Sequence, residues 1–151
     1  MKILLICTHN ACRSIIGEAV FNKLGNPRIE ARSAGSSPRG IVHPLTLKHL
    51  TRHDYDTSTL ESQSWDDFSD WKPDVVITLC DQAAGETCPI YFGDSLKIHW
   101  GLPDPSKDTT NEFENFDSII SILEKRIAKL LDEKFEDMDN NDLKLLFNRV
   151  I

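Results

Sequence analysis

Two short apolar runs, Ile3-Leu4-Leu5-Ile6 and Val75-Val76-Ile77-Thr78-Leu79, constrain the fold of this chain more than any other feature. Neither alternates with polar residues, so each reads as a strand buried on both faces, the kind found inside a parallel sheet. Parallel strands need crossover connections, and helical patterns follow the runs. Ile15, Ile16, Ala19, Val20 and Leu24 share one helical face, with Gly25 as a stop. His43-Pro44-Leu45 opens another helix, in which Leu47 and Leu50 are spaced for burial. Phe116, Ile119, Ile120, Leu123, Ile127, Leu130 and Leu131 mark the strongest one, over 111–131. A polar turn at 132–141 and a short helix near 143–150 come after it. Residues 28–34 and the alternating segment 95–100 are further strands. Strands alternating with helices predict an α/β fold with right-handed crossovers.

No repeat, low-complexity stretch or linker interrupts the 151 residues, so one domain over 1–151 is expected. No apolar run approaches the roughly 20 residues that span a bilayer. Only four apolar residues stand before Cys7, too few for a secretory core segment, so a soluble, cytoplasmic protein is expected. In that compartment the four cysteines are thiols with chemistry rather than a disulfide framework. The net charge of −7 is uneven: residues 1–50 hold seven basic and two acidic side chains, leaving −12 on the remainder. An acidic whole argues against nucleic acid as a partner, whereas a basic first third suggests a local site for a small anion.

That site is expected at Cys7-Thr8-His9-Asn10-Ala11-Cys12-Arg13-Ser14, between the first strand and the first helix. A loop so placed can turn successive backbone N–H groups inward as a nest for a tetrahedral oxyanion. The helix dipole favours the thiolate of Cys7 over the thiol. Arg13 supplies a bidentate fork for two anion oxygens. Ser14 is placed to cap the helix or to donate to the Cys7 sulfur. Ligands of parallel sheets sit beyond the carboxyl ends of the strands, and Cys7, Cys80 and the Asp104 loop each follow a strand.

The segment Ile6 to Ser14 resembles the phosphate loop of low-molecular-weight protein tyrosine phosphatases and of the arsenate reductases that share their fold. Ser33-Ala34-Gly35 is similar to the family's segment after the second strand, and Asp104-Pro105 to the loop carrying its general acid. These matches are spread over residues 1–106. The resemblance implies a three-layer fold whose four-stranded parallel sheet is flanked by helices. It further implies a nucleophilic Cys7, an oxyanion clamp at Arg13 and a proton donor at Asp104.

Two chemistries use this scaffold. A phosphatase needs one thiolate, a cradle and an acid, whereas a thiol-dependent reductase also needs resolving cysteines within reach. Leu79-Cys80 and Cys88-Pro89, together with His99 to Pro105, are similar to arsenate reductases of this fold. By that resemblance Cys80 and Cys88 are the second and third redox cysteines, served by thioredoxin, glutaredoxin or another thiol reductant. Residues 81–87 between them are polar and contain Gly85, and predict a pliable loop able to bring Cys88 to Cys80. Ser106-Lys107 stands where the phosphatase branch has paired tyrosines.

Arsenate reduction is thus the leading expectation, phosphomonoester hydrolysis the alternative, and an anion sensor without turnover a third. No organic cofactor is implied, and a monomer suffices. Asn10, Glu18 and Ser33 match positions that line a potassium site in some such reductases, but the carboxylate completing that site is unmatched and Gln63 falls nearby. His9 reads as facing solvent, and Trp65 and Trp71 as packing a loop against the core.

Overall fold

The computed structural model describes all 151 residues. Its sheet has four parallel strands in the order β2-β1-β3-β4. They are β1 (Lys2–Ile6), β2 (Glu30–Ala34), β3 (Val75–Thr78) and β4 (Leu96–His99). The two apolar runs are the two central strands. Ile3, Leu5, Val75 and Ile77 face the larger core, while Leu4, Ile6 and Val76 face a smaller one on the other side. Burial on both faces is why neither run alternates.

The helices are α1 (Arg13–Gly25), α2 (Pro44–Arg52), α3 (Asp81–Gly85), α4 (Glu112–Leu131) and α5 (Asn140–Arg149). The larger core joins α1, α4 and α5 to the sheet. The opposite face is covered more thinly, by α3 and loop residues including Phe68 and Phe92, with Trp65 and Trp71 packed against them. The three layers are therefore unequal. Helix α1 is buried nearly all round in its first half, including the polar Ser14 and Glu18, whereas Leu24 is left exposed at its far end. It lies close on β1 because Gly17 has no Cβ, which would stand 2.6 Å from the Leu5 side chain. Helix α5 starts earlier than its apolar spacing suggested, because Asp139 caps it by accepting the Asp142 N–H at 2.8 Å.

Residues 81–87 depart from the pliable loop expected of them. Most of them form α3, since Cys80 acts as its N-cap and the sulfur accepts the Ala83 N–H at 3.4 Å. No helix is long and apolar enough to cross a membrane.

Candidate active site

The ends of β1, β3 and β4 converge on one cavity of about 310 Å³, whose walls include Cys7, Thr8, Arg13, Cys80, Asp104 and Lys107. Parallel strands deliver their following residues to the same edge, so residues distant in sequence meet there.

The anion loop is turned inside out relative to an ordinary connection. The carbonyls of Thr8, His9 and Ala11 accept N–H groups from Ser37, Arg39 and His43 outside the loop. Their peptide N–H ends consequently face the other way, and those of His9, Ala11, Cys12, Arg13 and Ser14 bond to no backbone carbonyl. Asn10 makes the inversion possible with a left-handed φ of 45°, a conformation asparagine tolerates better than most residues. Fully buried, it donates from Nδ2 to Ser14 Oγ at 2.8 Å and to Ser33 Oγ at 3.0 Å, and Oδ1 accepts the Gln63 N–H at 2.8 Å. Arg13 is anchored by Nη1 donating to the Leu102 carbonyl at 2.9 Å, while its buried Nε has no partner. That leaves an edge of the guanidinium for an oxyanion.

Cys7 and Cys80 are both buried and line the same cavity. Cys7 donates to Cys80, and this bond together with burial pushes the Cys7 thiol up, Arg13 pulling the other way. Cys80 is held down at about 5, first by the hydrogen bond from Cys7 and further by donors at Thr8 and Ala83. The two sulfurs shift in opposite directions, Cys7 up and Cys80 down, so in the ligand-free site Cys80 is a base beside the Cys7 thiol. Burial pushes Cys12 up to about 12, so it remains a thiol.

Asp104 stands across the cavity, with Oδ2 4.0 Å from Arg13 Nη2. Burial raises its carboxyl, but the two donors of Ser106, then Arg13 and Lys107, outweigh that and hold it below the usual range. Ser106 donates from Oγ at 2.6 Å and from N at 2.9 Å. Asp104 is thus a carboxylate before the anion arrives, and must take up a proton before it can give one. Ser106 and Lys107 had looked like a mere departure from a family pattern. The Asp-x-Ser turn was the signal that one of them fixes the acid.

One further expectation needs correction. Ser14 neither caps α1 nor reaches the Cys7 sulfur, because its oxygen accepts from Asn10 and Cys12 is the N-cap. Cys88 does not line the anion cavity. It is half-buried in the wall of another one, of about 200 Å³, with Trp65, Lys97 and His99. All four thiols are free. His9 is exposed, as expected.

Potassium does not fit beside the loop. Ser33 Oγ donates to Glu18 Oε1 at 2.6 Å while accepting from Asn10, and the Asn10 carbonyl oxygen is taken by Gln63. The Gln63 side-chain amide also donates to the Ser33 carbonyl, at 3.3 Å. Ser33 Oγ, Asn10 Oδ1 and Glu18 Oε1 each take a donor from within the cluster, and burial pushes the Glu18 carboxyl up. The cluster braces Asn10 instead.

Gly35 sets the height of the loop. A Cβ there would stand 2.5 Å from the Thr8 carbonyl oxygen and 2.7 Å from that of Cys7. Both are backbone atoms, so Gly35→Ala must displace the loop itself. A shift of about 1 Å in a catalytic loop costs on the order of a hundredfold in kcat/KM, and that is the expected loss. Phosphate affinity, measured by calorimetry, should weaken in parallel; an unchanged affinity would show that the loop tolerates the contact.

A buried sulfur pair under an inward-facing amide nest and an arginine defines a cysteine-dependent oxyanion enzyme on a parallel α/β sheet. The chain belongs to the low molecular weight phosphotyrosine protein phosphatase family, whose sequence model matches residues 2–141. Among its relatives, the arsenate reductase of Staphylococcus xylosus is 34% identical over 112 residues, which are 74% of this chain and 84% of that protein. An arsenate reductase solved in its phosphate binding state superposes with a TM-score of 0.70 at 26% identity, over 87% of this chain and 96% of the other. The thioredoxin-dependent arsenate reductase of Corynebacterium glutamicum gives 0.67 at 30% identity, over 87% of this chain and 60% of that one.

Proposed function

We propose that this protein reduces arsenate to arsenite through a covalent adduct on Cys7, with Cys80 and Cys88 relaying the oxidation to an external dithiol. One observation carries the reading: a second sulfur, Cys80, packs in the same buried cluster as the first and lines the same anion cavity. A phosphatase has no use for that contact, whereas a two-electron thiol reduction requires it.

The first step forms the Cys7–arsenic bond. The Cys7 proton leaves with an arsenate hydroxyl as water, so HAsO₄²⁻ and the thiol give Cys7–S–AsO₃²⁻ with no other proton needed. Cys80 is the adjacent base that takes the thiol proton, and that same proton reaches the departing oxygen through Asp104, which leaves Cys80 a thiolate again. The nest and Arg13 hold the remaining oxygens. In the second step the Cys80 thiolate attacks the Cys7 sulfur. The sulfur–arsenic bond breaks with its electron pair going to arsenic, and arsenite leaves after taking up three protons. The two sulfurs are oxidised to a disulfide as arsenic(V) becomes arsenic(III). Cys88 then attacks Cys80 and frees Cys7, and the Cys80–Cys88 disulfide is reduced by a thioredoxin-like protein. The similarity to a relative described as thioredoxin-dependent supports that partner.

The test is an assay of NADPH consumption with thioredoxin and thioredoxin reductase. Arsenate-dependent oxidation with matching arsenite release is the expected result. Hydrolysis of p-nitrophenyl phosphate without arsenate-dependent oxidation would replace this reading by a phosphatase, and binding of phosphate with neither activity by an anion sensor.

A further inference from the structure

We propose that Glu86 is a positioning residue: by its hydrogen bond to Thr8 of the anion loop it holds the Cys88 segment closed, away from Cys80. The proposal builds on the reductase reading but is tested without arsenate.

Helix α3 has only five residues, far below the roughly 12–15 at which a helix is marginally stable alone, so contacts at its two ends decide whether it stays formed. Its start is held by the Cys80 sulfur as N-cap and by Asp81 Oδ1, 3.1 Å from His99 Nε2. The Asp81 side chain is 98% exposed, and ion pairs in water contribute little. Its far end has almost no packing: a Cβ built on Gly85 meets nothing within 4 Å. What fixes that end is Glu86, whose Oε1 accepts from Thr8 Oγ1 at 2.9 Å. Cys88 follows two residues later.

Two features make this bond a latch rather than one more surface contact. Glu86 and Cys88 line the same cavity of about 200 Å³, so open space lies beside the segment that must move. The Thr8 hydroxyl also lies 3.8 Å from the Cys80 sulfur, the atom Cys88 must attack. The group that holds the segment shut therefore sits beside the bond the segment must reach. Of the contacts at the far end of α3, the Thr8–Glu86 hydrogen bond is the side-chain tie that opening must break. The exchange it permits is neutral in electrons: the Cys88 thiolate bonds to Cys80, the Cys7–Cys80 bond breaks, and Cys7 leaves as a thiolate.

The experiment measures iodoacetamide labelling of each cysteine by peptide mass spectrometry in the reduced protein, together with amide exchange over residues 82–86. Glu86→Ala should label Cys88 about two- to tenfold faster, the range set by one hydrogen bond of net 0.5–1.5 kcal/mol. Exchange over 82–86 should rise with it, while Cys12 labelling stays at the wild-type rate. Glu86→Gln, which keeps an acceptor, should fall between. Thr8→Val should speed Cys88 labelling similarly, and the double variant Thr8→Val/Glu86→Ala no further than either alone. Unchanged Cys88 labelling in Glu86→Ala overturns the latch. So does an equal rise at Cys12, which would mean general loosening. None of these outcomes depends on whether arsenate is the substrate.

Discussion

Cys7→Ser is expected to lower arsenate turnover on the order of 10⁶-fold, the scale on which loss of a covalent nucleophile acts when the rest of its machinery stays in place. Serine keeps the size and most of the shape of the site. Its hydroxyl proton, however, is too tightly held for Cys80, a weak base, to remove. Phosphate binding should survive within a few-fold, because the nest and Arg13 do not involve the sulfur. A second readout follows from the opposite shifts of the two sulfurs. Cys80 sits at about 5 chiefly because Cys7 donates to it, so Cys7→Ala should move the Cys80 titration up toward that of a free thiol. Thiolate absorbance at 240 nm against pH measures this directly. The sign is that of a lowered acid: the charge is present above the midpoint and lost as pH falls through it. Wild-type activity should accordingly fail on the acid side near that value. If Cys7→Ser turned over at the wild-type rate, the sulfur carrying the chemistry would be another one.

The parts of this site that were legible in the sequence are those fixed by local pattern. The Ile3–Ile6 run had to be a central strand, and the residue after it had to reach the carboxyl edge of the sheet. From there the spacing of Cys7 and Arg13 across a loop into a helix already implied a nest. Cys80 and Asp104 could be placed at the same edge by the same logic, since each follows a strand. What could not be read was anything that depends on side chains from distant segments meeting. Cys80 is lowered by donors at Thr8 and Ala83 as well as by Cys7, and the Ala83 donor exists only because α3 forms. The polar composition of 81–87 pointed to a loose loop. A cysteine cap and a tie to Thr8, 78 residues away, override so weak a local preference. Potassium, against which the unmatched carboxylate already argues, illustrates the same point. Matching residue types at Asn10, Glu18 and Ser33 said nothing of how their hydrogens are directed, and Gln63 decides that.

Cys88→Ser is expected to release one arsenite per molecule and then stop. The argument begins with where the first disulfide must form. Cys7 and Cys80 line the floor of the same cavity, both buried, so a disulfide between them is shielded from any protein reductant. Thiol–disulfide exchange needs a thiolate in line with the sulfur it attacks, and a dithiol protein cannot enter so small a pocket. Cys88 belongs to the same chain and sits on a short helix–loop segment with an open cavity below it. It can therefore reach Cys80 from within, provided α3 opens and the two Cα atoms come within roughly 7 Å. Burial pushes the Cys88 thiol up in the closed arrangement, so it is a poor nucleophile until the segment moves toward solvent. Serine in its place removes the only internal route. A single addition of arsenate followed by peptide mapping should find Cys80 joined to Cys88 in the wild type, and Cys7 joined to Cys80 in the variant. With thioredoxin in excess, the wild type should continue and the variant should not. Repeated turnover by Cys88→Ser under those conditions would mean that the reductant reaches Cys80 directly, and the relay would shrink to two cysteines.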